Sequence, residues 1–214
     1  MVGSARGVGA AAVVAVWAVV ATEFVFAWWA WFFLATTGDG PGVVLTAVMD
    51  GVNAVAWAVR PVAAVLVLRW LWLARSDAPG RHRYGQRWAL WGWLPVVGWW
   101  VPHRVVADVW TASASDRGRS RAAVHWWWAW WLLYDLGGHA HFVLTLLTVG
   151  DLGKLRAPVR AVDLGELETV VRAGVVLPVF AAGAAVFLTI VVRGIPDRRS
   201  APRAVTVVEP EGAA

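Results

Sequence analysis

Three ionisable residues, Glu23, Arg60 and Asp135, stand inside stretches that otherwise carry almost no charge. A charged side chain at the centre of a bilayer costs at least about 2.5–3.5 kcal/mol on insertion scales, so each needs a partner or a task. Glu23 and Arg60 lie at nearly equal distances before and after the turn-forming cluster Gly38-Asp39-Gly40-Pro41-Gly42. In an antiparallel helical hairpin equal chain distance means equal depth, which predicts an ion pair between them about 12 Å below the surface that Trp31 would mark. Such a pair sets the register of two helices. It becomes a coupling site if Glu23 exchanges a proton or binds a cation while Arg60 tunes its affinity. Asp135 and His139, four residues apart, share a helix face and suit an interior hydrogen bond or a proton relay. His141 sits about 200° around the helix from His139, so the two imidazoles cannot chelate one ion on a regular helix, and no metal site is expected.

The elements that would carry these residues follow from composition. Of 214 residues, 59% are hydrophobic and 15% charged, too apolar for a surface facing water. Cysteine is absent, which excludes disulfides, thiolate metal sites and cysteine nucleophiles. No nucleophilic, phosphate-cradling or dinucleotide motif is present, and no cofactor is expected. The Gly38-Asp39-Gly40 run lacks the strand-to-helix setting that a phosphate loop needs. The expected fold is an all-α membrane protein with four transmembrane helices at about residues 8–36, 51–74, 126–148 and 169–192. They form one membrane domain over residues 1–192, and residues 193–214 read as a disordered cytoplasmic tail.

Residues 8–36 stay apolar for longer than a signal peptide's core, so the first span is expected to be retained. Val43 to Met49 precedes the second span and is expected to lie outside the bilayer or tilted. Residues 88–101 (WALWGWLPVVGWWV) reach only about 21 Å as a helix and are interrupted by Gly92, Pro95 and Gly98. This Trp-rich segment is expected to be re-entrant or interfacial. Beyond Pro102, residues 103–113 alternate at helical spacing. Val105, Val106, Val109 and Trp110 fall on one side, with Arg104, Ala107, Asp108 and Thr111 on the other, as in an amphipathic surface helix. With four crossings, Arg6, the Arg75 to Arg87 loop, the Arg104 to Arg121 region and the tail share one side, while the first outer loop has no Arg or Lys. The positive-inside rule then puts both termini in the cytoplasm.

The runs Arg69-Trp70-Leu71-Trp72-Leu73-Ala74-Arg75, Trp88-Ala89-Leu90-Trp91-Gly92-Trp93 with Pro95, Trp100, Pro102 and Val105 to Trp110, and Trp127-Trp128-Ala129-Trp130-Trp131 resemble the bacterial membrane family catalogued as domain of unknown function 4328. The resemblance covers about residues 60–192. It implies a multi-span protein of the bacterial cell membrane and supplies no activity. Asp77 stands where that family usually has Asn.

Most of the 18 tryptophans fall near the same end of the spans as the arginines. Indole prefers the headgroup level, and a neighbouring Arg can hold a lipid phosphate. A cytoplasmic-leaflet collar binding anionic lipid is therefore expected from Arg81, Arg83, Arg87, Trp88, Trp91, Trp93, Trp99, Trp100, Arg104, Trp110, Trp127 and Trp128. With the Arg residues beside membrane helices, lipid is the nearer anion and nucleic acid is not expected as a partner. Small residues at Gly174, Pro178, Ala181 and Ala185 permit close packing with a membrane partner or a second copy. The leading expectation is a non-enzymatic scaffold or regulator that uses this collar. The alternative is a small ion- or proton-coupled transporter or channel using Glu23, Arg60, Asp135 and His139. An enzyme acting on lipid comes third.

Overall fold

A helix packed at the surface of a water-soluble domain keeps a polar face, and the first helix of this chain has none. In a computed structural model that describes residues 4–35, 43–78, 83–93, 100–113, 120–149 and 164–195, this helix, α1 (Ala5–Ala35), is apolar on every side. Its Val14, Phe24, Val25, Trp28 and Trp31 project outward and exposed. Two further long helices, α2 (Val43–Asp77) and α5 (Ala122–Val149), expose Val55, Trp57, Val62, Val65, Leu133, Leu136 and Leu147 in the same way. Apolar side chains standing outward along whole helices match a hydrocarbon solvent.

The described residues are helical and contain no strand. The remaining elements are α3 (Trp88–Trp91), α4 (Val101–Ser113), α6 (Leu164–Val175) and α7 (Leu177–Gly194). Three segments are long and apolar enough to cross a membrane: Ala5–Phe32, Gly51–Asp77 and Val171–Gly194. The chain is therefore a multi-pass membrane protein. Four such spans were expected; α5 is as long as the others, but His125, Asp135, His139 and His141 lower its apolarity.

The helix boundaries differ from expectation at three places, each for a local reason. First, α2 begins at Val43, so residues 43–50 are helical and precede the spanning segment that starts at Gly51. Second, the last span is two helices with a turn at Val176, because Pro178 near the start of α7 has no N–H to give the carbonyl of Gly174. Third, α4 begins at Val101, and Ala107, placed on its polar side by periodicity, is buried. Both sides of α4 are engaged because it packs on α2, α3 and α5 together. Residues 94–99, the middle of the re-entrant or interfacial segment, and residues 196–214, most of the tail, lie outside the described residues.

In the bundle α1 lies between α2 and α7, while α5 packs along α7 and α6. At the end where α2 stops and α5 starts, the core is dense. Trp70, Leu71, Val105, Val106, Val109, Trp110, Val124, Trp127, Trp128 and Val191 are buried together under α3 and α4. Trp110, Trp127 and Trp128 are thus interior residues and not part of a lipid-facing collar, because α4 folds back onto the start of α5 and covers them. The buried Trp110 indole N–H donates to the Ser120 carbonyl at 3.1 Å.

At this basic end His103 Nε2 and His125 Nδ1 are 2.9 Å apart, one donating and the other accepting. Burial, then His125, Arg104 and Arg121, hold His103 below the ordinary histidine range. The unfolded chain therefore takes up this proton first as pH falls, and the stability that depends on a neutral His103 is lost below the ordinary range. The melting temperature is expected to fall between about pH 8 and about pH 5, with a smaller fall in His103→Gln. An equal fall in the variant would remove His103 from the explanation.

Candidate functional site

Away from the dense end, α2 and α5 stand apart, and a cavity of about 770 Å³ opens between them, walled by α1, α6 and the start of α7. Its rim and walls are mostly apolar, with Phe26, Ala27, Trp29, Ala30, Phe142, Val171, Val175, Leu177 and Pro178. Into this lining project Glu23, Asn53, Arg60, Tyr134, Asp135, His139 and His141. Glu23 lies about 18 Å along α1 from its far end, taking ~1.5 Å per residue over twelve residues.

Glu23 is the hub. Its Oε1 accepts from Arg60 Nη2 at 2.7 Å and from the Tyr134 hydroxyl at 2.7 Å. One carboxylate oxygen thereby ties α1 to both α2 and α5, two helices not packed along each other. The Glu23 side chain is only 12% exposed and the Arg60 side chain 38%, so the carboxylate depends on these donors far more than the guanidinium does. The Arg60 guanidinium also stands 5.9 Å from the Trp57 ring, within cation–π reach. Arg60 Nε is buried without an acceptor. Pro61 follows directly and withdraws the helical donor of the Trp57 carbonyl, loosening α2 where the ion pair forms.

On α5, His139 Nδ1 lies 2.7 Å from the backbone carbonyl of Asp135 and 3.7 Å from its Oδ2. A carbonyl only accepts, so Nδ1 carries the hydrogen and Nε2 of the neutral ring remains an acceptor facing outward. His139 is therefore bonded to the backbone of Asp135, with the carboxylate at longer range. His141, which helical arithmetic turned away from the Asp135 and His139 face, also lines the cavity. The cavity wraps around α5 toward α6, where the His141 ring lies against Gly174. A Cβ at Gly174 would meet that ring at 3.1 Å, so a larger residue there would require the imidazole to give by a few tenths of an ångström. His141 Nδ1 is buried and has no partner.

The four residues singled out from the sequence, Glu23, Arg60, Asp135 and His139, thus share one cavity. Tyr134, Asn53 and His141 join them. Tyr134 carried a readable signal, since the chain has only two tyrosines and a phenol inside an apolar helix requires a hydrogen-bond partner. The arginine and tryptophan group lies at the opposite end. There Trp88, Trp91 and Trp100 are exposed beside Arg83, Arg87 and Arg104. Trp93 is half-buried against Trp127 and Trp131. Arg104 donates to the Tyr84 hydroxyl at 3.1 Å, and the Arg83 backbone N–H donates to Asp108 Oδ2 at 3.3 Å. Arg81 and Trp99 lie outside the described residues.

Compared with known proteins, residues 43–197 match a family described as Domain of unknown function (DUF4328). No curated protein and no solved structure matches.

Proposed function

The chain belongs to the DUF4328 family, a membership that assigns no activity, and from the geometry of the cavity we propose that it is a small proton- or ion-coupled transporter of the bacterial cell membrane. The observation that carries this reading is the meeting of Glu23, Arg60, Tyr134, Asp135 and His139 on one cavity walled by apolar helices. Ionisable groups at that depth mark ion and substrate paths more often than they mark packing. The reading takes α5 as a fourth span and places both termini in the cytoplasm, on the side where arginine gathers. The cavity then opens toward the outer leaflet, and the dense core under α3 and α4 closes the cytoplasmic end. Transport would require that core to part, which makes α4 the candidate gate.

Proton or cation flux into proteoliposomes of the full chain tests the proposal. Flux is expected in the wild type and should fall to background in Glu23→Gln and in Asp135→Asn. Well-folded wild-type protein without flux would sink it. That result would favour the scaffold reading, in which Trp88, Trp91 and Trp100, exposed beside Arg83, Arg87 and Arg104, seat the cytoplasmic end on anionic lipid.

A further inference from the structure

Charge in the cavity does not balance. As carboxylates, Glu23 and Asp135 bring two negative charges, and Arg60 is the single guanidinium among the described lining residues. Arg60 is engaged with Glu23 at 2.7 Å, and Tyr134 adds a second donor to that same carboxylate. Asp135 receives no such donor: its nearest cationic candidate, the His139 ring, gives its Nδ1 hydrogen to the Asp135 carbonyl, 3.7 Å from the carboxylate. In a lining this apolar, a carboxylate without a close donor offers a place for a ligand's positive charge.

We propose that the cavity binds a lipophilic organic cation at Asp135. The proposal deepens the transporter reading and rests on this cavity being its substrate site. Three observations define the ligand class. The volume of about 770 Å³ falls in the range of sites for whole organic molecules, roughly 300–1,000 Å³. The walls are aromatic and aliphatic, with Phe26, Trp29 and Phe142 able to present ring faces to a cation. Among the described residues no three His, Asp or Glu side chains converge as a metal site, so a bulky cation fits the lining better than a bare ion. The break between α6 and α7 adds to this preference. Gly174 and Pro178 both line the cavity, and the Gly174 carbonyl, which lacks the Pro178 donor, stands at the negative end of α6.

Asp135 is the carboxylate that this cation would meet. The titratable groups around it are Glu23 from α1, Arg60 from α2, and Tyr134, His139 and His141 from α5. The described lining from α6 and α7 contains none.

The test uses the full chain in neutral-lipid nanodiscs titrated with tetraphenylphosphonium, and with tetraphenylborate as a probe of the same shape and opposite charge. Phosphonium is expected to bind at about one cation per chain, and borate should neither bind nor compete. Asp135→Asn should weaken phosphonium binding about tenfold or more, while Asp135→Glu retains it. Preference for borate or absence of phosphonium binding in the wild type would overturn the proposal without reference to any variant. Proton flux without phosphonium binding would overturn this inference and leave transport standing. Phosphonium binding without flux would do the reverse.

Discussion

Arg60→Met is expected to lower the unfolding free energy by about 3 kcal/mol, near the low end of what breaking a buried ion pair costs. The loss comes from Glu23, whose side chain is 12% exposed and would be left with only the Tyr134 hydroxyl as a donor. The 38% exposure of Arg60 is what keeps the figure from the upper end. In the double variant Glu23→Gln, Arg60→Met no charge is left stranded, and stability is expected to return to within about 1 kcal/mol of wild type. Denaturation in detergent followed by tryptophan emission would measure both. A double variant as unstable as the sum of its parts would mean that the pair does more than neutralise itself, and that α2 depends on its specific geometry.

The second large effect is expected at Gly183. A Cβ there would lie 2.4–2.8 Å from Trp130 Cδ2, Cε3 and Cγ, against the face of the indole. Retreat of the ring is opposed by Phe180, 6.0 Å away centroid to centroid. Gly183→Val therefore drives α7 away from α5 and should cost about 1–3 kcal/mol by overpacking. Trimming the obstacle in Gly183→Val, Trp130→Leu should restore part of the loss. If the single variant melted as wild type does, the close approach of α5 to α7 would be wrong. The same displacement would loosen the cavity, because α5 carries Tyr134 and Asp135 on its wall.

The depth match of Glu23 and Arg60 was readable because a hairpin with a short turn converts chain distance directly into height. No such relation links either residue to α5, whose Tyr134 lies 111 residues after Glu23. The second donor to Glu23, Tyr134, therefore had no arithmetic to reveal it. The tryptophan end shows the converse error. Indole chemistry favours the interface for Trp110, Trp127 and Trp128, yet α4 folds over α5 and buries all three. Side-chain preference describes a residue alone with its solvent, and here a second helix replaced that solvent.

What the residues determined by themselves is the medium and the set of elements: long apolar stretches require lipid, and backbone polar groups in lipid require helices. The depth of each charge along its own helix follows as well. Tertiary structure alone decided which way each helix turns. Periodicity orients a helix only when one face differs from another, and α1 and α5 are apolar nearly all round. Their rotation was left to packing: Gly183 against Trp130, the dense core under α4, and one carboxylate oxygen shared by Arg60 and Tyr134.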